Sequence, residues 1–571
     1  MESNEIVLKK SLRLWPGVAI VVLQWVLRFV APVIWPDTLV VGILGGVVLW
    51  LAVVIWWAFF SRAAKFDRWA GVVLMIAVLV GITPFLDASI STANMGLMFI
   101  FFSLPVLSLA FVIWAAASRN LGNKLRRITM VLTILLSTGF WLLLRTDGMT
   151  VQNGQYLNWR WAKTNEEKLL SEIGDNLTTT SLTQADIAKE AEWPGFRGKD
   201  RDSIAKGIKI GTDWAKNPPV EMWRSPIGPG CSSFAVHGSF IFTQEQRGEY
   251  EMVTCYNLNT GKPVWKHGDK VRFWDSHAGA GPRSTPTISK GRVYTLGATG
   301  LLNVLDERTG NLVWMRDAAK DTDVKIPVWG YTSSPLVVDS VVVVAISSRI
   351  LAYDIATGKP RWNGSDTGES YSSAHLLTLD GVRQIVFMNK AGVAGYAVDD
   401  GKELWKIVKE GIRTIQPALI NDTDILIDMG EIKGLRRISL KHTAGKWSIE
   451  EKWTSTKLKP NSNDIIIHKG YVYGFDIPSL TCIDIEKGER KWKDGRYSGE
   501  LILLADQDLL LVLSEKGELA LVPADPKGFK ELARFSAITG KTWNHPAIAG
   551  SVLLLRNTKE MAAFRLPLED K

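Results

Sequence analysis

Residues 304–314 read VLDERTGNLVW, and four other stretches repeat the pattern: CYNLNTGKPVW (255–265), AYDIATGKPRW (352–362), GYAVDDGKELW (395–405) and CIDIEKGERKW (482–492). The common form is small-x-Asp-x-x-Thr-Gly-x-x-x-Trp, with degenerate copies ending at Trp453 and around Phe535. Glycine at 261, 310, 358, 401 and 488 permits a positive φ at a tight turn, and the Asp and Thr before it can bond the turn backbone. Alternating side chains on both flanks make the unit a hairpin. The tryptophan then supplies a large apolar plate where one sheet packs on the next.

Successive tryptophans stand 49, 48, 43, 48 and 39 residues apart, and the step from Trp492 to Phe535 is 43. A four-stranded propeller blade takes about 40–50 residues. Upstream of each unit lies a further strand pair, as in TPTISKGRVYTLGA (285–298), SPLVVDSVVVVAIS (334–347) and DIIIHKGYVYGFD (464–476). The pattern predicts blades near 231–265, 284–314, 333–362, 371–405, 415–453, 463–492 and 500–535, with a partial one at 543–567. VEMWRSP (220–226), with Trp223 in the docking position, completes that last blade and closes an eight-bladed ring without exposed sheet edges. Seven blades is the alternative if 415–453 is not a full one.

The repeats resemble the tryptophan-docking motif of the pyrroloquinoline-quinone (PQQ) propellers, and the resemblance covers residues 220–567. It implies the fold and leaves function open. With the N-terminal part described next, the layout is similar to that of membrane-bound quinoprotein glucose dehydrogenases. The same repeat occurs in the propeller lipoprotein of the outer-membrane barrel assembly machine, a scaffold without a cofactor.

Residues 1–145 predict an α-helical membrane domain. Five segments, 14–35, 39–60, 69–87, 96–117 and 128–144, approach or exceed the roughly 20 apolar residues that a span needs. Lys9, Lys10 and Arg13 precede the first span, Arg62, Lys65 and Arg68 follow the second, and Arg119, Lys124, Arg126 and Arg127 follow the fourth. The loops at 35–38 and 87–95 hold no cation, so the positive-inside rule puts the N-terminus in the cytoplasm and the propeller in the periplasm of a bacterial inner membrane. Arg28 falls inside the first span with no acidic partner visible. Packing on a neighbouring helix, or snorkelling, is weighted above a headgroup site there.

Residues 1–150 carry 12 Lys/Arg against 6 Asp/Glu, a balance of +6, so the remainder of 67 and 58 is 55 against 52, or +3. A nucleic-acid binder would concentrate base on its folded domain, which excludes that class here. Three scattered cysteines exclude a disulfide framework. Residues 146–219 read as a polar linker and lead-in, with short helices in 163–173 and after Thr183 (with Asp186), then a structured loop, WPGFRGKDRDS (193–203), of unassigned chemistry.

Residues just before each innermost strand face one another across a propeller axis. The charged and aromatic members of that set are Arg283, Asp464, Glu500, Trp543 and His545. Loops 273–283 and 328–331 add Asp275, His277 and Trp329. As a site, Arg283 would hold a carboxylate and Asp464 and Glu500 a cation or proton; His545 or His277 would act as acid or base, and Trp543 or Trp329 as a stacking surface. The serines and threonines at blade starts read as turn formers that bond their own backbone. The seven histidines form no HxxxH or HxH pair, so no transition-metal site is expected, and GxGxxG, Walker and GxSxG patterns are absent.

The family resemblance implies further requirements. Alcohol-oxidising PQQ enzymes carry adjacent cysteines beside the quinone, whereas Cys231, Cys255 and Cys482 are isolated. Glucose-oxidising relatives need a calcium held by oxygen ligands, a base, and cations for the quinone carboxylates. No contiguous calcium-ligand motif is matched, so no catalytic residue is carried over. The leading expectation is a membrane-anchored periplasmic binding or scaffold protein. Its partners would be the lipid bilayer and a periplasmic protein or small ligand at the funnel. The alternative is a PQQ-dependent dehydrogenase of sugars or alcohols that passes electrons to membrane quinone, with PQQ and calcium as cofactors. A sensor that signals through the spans ranks third.

Overall fold

The structure, a computed structural model, describes residues 12–35, 38–150, 154–172, 190–364, 366, 368–408, 414–430, 433–460 and 462–569. It divides into two compact units, Met1–Ala162 and Lys163–Lys571.

In the first unit the helices Trp15–Ile34, Leu39–Phe60, Lys65–Phe85, Met98–Asn120 and Asn123–Leu143 are each long and apolar enough to cross a bilayer. The third begins earlier than its apolar run predicts because Asp67 has partners: Arg126 at 2.6 Å and Arg127 at 2.7 Å, both from the fifth helix. Arg28 does not snorkel. It is 5 % exposed and lies over the Phe102 ring of the fourth helix at 4.7 Å. Lys9 and Lys10 fall outside the described residues. After the last helix, Leu144–Met149 and Gln155–Trp159 pair as an antiparallel hairpin where the sequence reads as linker.

In the second unit, helix Asn165–Glu172 starts in a reciprocal cap: Thr164 N–H donates to Glu167 Oε2 at 2.6 Å and Glu167 N–H to Thr164 Oγ1 at 3.0 Å. The helix expected after Thr183 falls outside the described residues. Beyond it stands the ring of eight sheets. Blades 1 to 7 span 235–269, 287–317, 336–363, 375–408, 418–455, 466–496 and 500–536; blade 8 is 547–565 plus Val220–Pro226. Strand order follows the chain in every blade except the eighth, where Val220–Pro226 pairs antiparallel with Glu560–Arg565 as the outermost strand. The 415–453 repeat is a full four-stranded blade with a long outer hairpin, Leu435–Thr443 against Lys446–Ser455.

Each docking tryptophan works across a seam. Trp265 donates its indole N–H to Glu307 O of the next blade at 3.0 Å, Trp314 to Ile355 O at 3.0 Å, Trp362 to Val398 O at 3.0 Å, Trp453 to Ile485 O at 3.0 Å and Trp492 to Asp525 O at 2.7 Å. Trp223 closes the ring by donating to Leu258 O of blade 1 at 2.8 Å. Trp405 alone among these departs, donating within its own blade to Gln384 Oε1. Phe535 stands in for a tryptophan in blade 7, edge-on to Trp214 and to Phe564 of blade 8. The turn residues act as expected: Asp306 Oδ1 accepts from Arg308 N–H, Thr309 N–H and the Thr309 hydroxyl.

Candidate functional site: the axis and its mouth

The inner strands converge on the axis, and convergence brings a hydroxyl of one blade within reach of the amide of its neighbour. Ser233 N–H donates to Thr285 Oγ1 at 3.0 Å, Thr285 N–H to Ser334 Oγ at 2.9 Å and Ser334 N–H to Ser373 Oγ at 2.9 Å. The hydroxyls expected to bond their own backbone therefore staple neighbouring blades. Asp464 stands in the same place in blade 6 and accepts Gln416 N–H at 2.8 Å. Its first role is that of one more staple.

Residues 193–205 run through this ring. Trp193 bridges Val236 of blade 1, and Pro194 O accepts Ile288 N–H of blade 2 at 2.8 Å. Arg201 donates to Ser334 O and Pro335 O of blade 3 and to Ala374 O of blade 4, the last at 2.9 Å. Arg197 donates to Ile465 O of blade 6 at 2.8 Å, Ser203 O accepts Leu503 N–H of blade 7 at 2.9 Å, and Phe196 meets His545 of blade 8 edge-on. Ile204–Ala205 then adds a parallel strand to Leu503–Leu504. Both arginines are nine-tenths buried and bond mostly backbone carbonyls, a good match for five fixed donors. The segment flagged in the sequence by its mixture of Trp, Gly and charge is thus a strap across the axis.

The residues predicted to line the funnel fall into two groups. The first holds Asp464, Glu500 and His545, around Arg197. Arg197 Nη1 is 3.6 Å from Asp464, Asn463 donates to Glu500 Oε1 at 2.9 Å, and His545 Nδ1 is 3.2 Å from Glu500 Oε2. Burial, with Asp464 beside it, pushes the Glu500 carboxyl well above the usual range, and burial holds His545 down to about 3. His545 is therefore neutral at pH 7.

The second group is the mouth. Arg283 is bound to Asp275 and donates to Gly279 O at 2.6 Å, while Asp275 Oδ1 also accepts His277 N–H at 2.7 Å. His277 lies edge-on to Trp329 at 5.9 Å, and Trp329 lies on Tyr371 at 4.6 Å. Trp543 donates to Glu515 Oε1 at 2.7 Å. Lys541 was not singled out in the sequence; it lies over the Trp543 ring at 4.0 Å and donates to His277 O at 2.9 Å. Burial lowers its ammonium to about 8. Tyr371, Glu515, Arg197 and Arg201 were also missed. Of these, only the arginines had a signal, the odd composition of 193–203.

A calcium-held quinone at this mouth would need free cations and a set of unshared carboxylate oxygens. Arg283 pairs with Asp275 and a carbonyl while its Nε is unpartnered, Asp464 meets Gln416 and Arg197 through Oδ1, and no group of three or more His, Cys, Asp or Glu that could hold a metal gathers among the described residues. Cys231, Cys255 and Cys482 are all free thiols.

Fold and axis together define an eight-bladed propeller of tryptophan-docked PQQ-like repeats. The family model for the outer membrane protein assembly factor BamB matches residues 217–374, 249–494 and 328–541, and the chain belongs to that family. It is 21% identical over 323 residues to the outer membrane protein assembly factor BamB of Yersinia pestis, covering 53% of this chain and 70% of that protein. It is 27% identical over 145 residues to the quinohemoprotein alcohol dehydrogenase ADH-IIG of Pseudomonas putida, covering 24% of this chain and only 19% of that one. Among solved structures, BamB from Moraxella catarrhalis is similar at a TM-score of 0.46 and 13% identity, covering 61% of this chain and 100% of that one.

Proposed function

We propose that this chain is a binding or scaffold protein: a PQQ-like propeller anchored by five spans in a bacterial inner membrane, its N-terminus cytoplasmic and its ring periplasmic. The anchoring rests on the five apolar helices, and the orientation on Arg62, Lys65, Arg68, Arg119, Lys124, Arg126 and Arg127, which all follow even-numbered spans. Membership of the BamB family supports a protein partner in the periplasm.

The observation that carries the reading is internal pairing at the axis. The charged side chains that a quinoprotein would turn toward cofactor and substrate are bonded to one another or to the strap, while Trp329 and Trp543 keep part of their rings accessible at the mouth. Such a surface offers stacking and shape to a partner or small ligand.

The test is to give the full chain in detergent PQQ with calcium, and to record quinone absorbance and dye-linked oxidation of glucose and alcohols. Neither stoichiometric uptake nor turnover is expected. Uptake with turnover, lost in Arg283→Ala or Asp464→Ala, would establish the dehydrogenase reading instead.

A further inference from the structure

We infer that the five-helix unit holds a phospholipid headgroup phosphate on Arg28. The inference concerns a site separate from the propeller and adds to the membrane-anchored reading.

Three observations meet at this residue. First, Arg28 is the middle residue of Val26–Val30, a π-helical turn inside the first helix, and such widened turns cluster at functional positions. The second helix comes close here: a Cβ on Gly46 would lie 3.7 Å from Arg28 Cδ. Second, the guanidinium is buried, at 5 % exposure, yet its Nε and Nη2 have no hydrogen-bond partner among the described residues. The rings of Phe29 and Phe102 lie 5.1 and 4.7 Å from it. Third, other buried polar atoms on the same helices lack partners. Gln24, fully buried, donates to Gly46 O at 2.7 Å while its Oε1 is unpartnered; Ser103, next to Phe102, is fully buried with an unpartnered hydroxyl.

Among the described residues of the unit, no carboxylate pairs with Arg28. Among the described residues of the five helices and their loops, Asp67 is held by Arg126 and Arg127, and Asp87 by Ser89 and Arg160. A counter-anion from outside the chain would meet these unpartnered donors. In a bilayer the abundant oxyanion is the lipid phosphate, and two parallel N–H donors of a guanidinium suit it bidentately. The glycerol hydroxyl or amine that many headgroups carry would supply the donor that Gln24 Oε1 lacks.

The full chain, extracted in mild detergent and washed with phospholipid-free detergent, is assayed by native mass spectrometry and total phosphorus. One phospholipid should stay with each wild-type chain. Arg28→Met should lose it at least tenfold, Arg28→Lys should keep it in part, and Arg62→Ala should keep it in full. Excess inorganic phosphate should displace none, and displacement would overturn a lipid source. Equal retention by wild type and Arg28→Met would overturn the proposal, as would recovery of an isoprenoid quinone in place of the phospholipid. If Arg28→Met fails to fold, the wild type decides alone: folded, washed protein free of phospholipid overturns it.

Discussion

Trp265 and Gly310 share one seam from opposite sides: the indole of blade 1 lies on the turn of blade 2, where Gly310 has φ +70° and a Cβ would fall 2.5 Å from the ring. The repeat's glycine thus serves twice, for its backbone conformation and for the space it leaves to the neighbour's ring. Gly310→Ala should cost about 2–4 kcal/mol, from left-handed strain plus overpacking. Trp265→Phe should lose about 1 kcal/mol with the bond to Glu307 O. Urea titration of the full chain in detergent, read by far-UV ellipticity, distinguishes the two. Equal midpoints for Gly310→Ala and wild type would refute the shared seam.

The seam between blades 4 and 5 should be the weakest of those closed by a tryptophan. Blade 5 lacks the Asp-x-x-Thr-Gly turn, so Trp405 finds Gln384 in its own blade and no carbonyl across the gap. Trp405→Phe, which breaks only the bond to Gln384 inside blade 4, should leave exchange across its seam unchanged, whereas Trp314→Phe, which breaks the cross-seam bond to Ile355 O, should speed exchange in blade 3. Hydrogen exchange should show strand Ala418–Leu419 opening before the inner strands of blades 2 and 3. Slower exchange there than in blade 3 would count against it.

Repeat period and turn chemistry made blade count, docking tryptophans and ring closure legible in the sequence, because each rests on residues within one hairpin. The axis was less so. Asp464 and Ser334 look unlike each other in sequence, yet they hold equivalent staple positions, a likeness visible only when the inner strands stand side by side. Lys541 was missed for a similar reason: besides Trp543, two residues on, its partner is His277 O on a distant loop. The WPGFRGKDRDS segment announced itself as structured, but its partners are carbonyls on many blades, and backbone acceptors leave no mark in composition.

Glu251 should make the ring less stable as pH rises. It is buried and accepts Ala298 N–H at 3.3 Å; burial raises its carboxyl from 4.5 to about 7. The folded state therefore prefers the protonated form, a preference fully expressed below about pH 4.5 and lost as pH climbs through about 7. A shift of that size corresponds to about 3 kcal/mol. Glu251→Gln, which keeps an acceptor and never ionises, should gain stability over wild type at pH 8 and gain little at pH 4.5. An unchanged difference between the two pH values would exclude Glu251 as the titrating group.

Arg201 should hold the strap more firmly than its missing acid partner suggests. It ties residues 193–205 to carbonyls of Ser334, Pro335 and Ala374, and Asp200 O beside it meets His375 Nε2 at 3.0 Å. Burial, with Arg201 and Arg197 nearby, holds that histidine down to about 4, so it is neutral at pH 7. Removing the guanidinium takes a donor from three buried carbonyls; Pro335 O keeps the Thr287 hydroxyl at 2.6 Å and Ala374 O the Gln416 Nε2 at 3.5 Å, while a buried acceptor left bare costs about 1–3 kcal/mol and the desolvation of one cation is recovered. Arg201→Met should lower the unfolding free energy by about 2–4 kcal/mol and speed amide exchange at Ala374 and Ile288, whereas Lys216→Met, on the exposed lead-in, should change neither. Arg201→Lys keeps the charge but reaches fewer carbonyls at once, so it should rescue only part of the loss. Full rescue by lysine would mean that charge, not the fork of donors, fastens the strap to the ring.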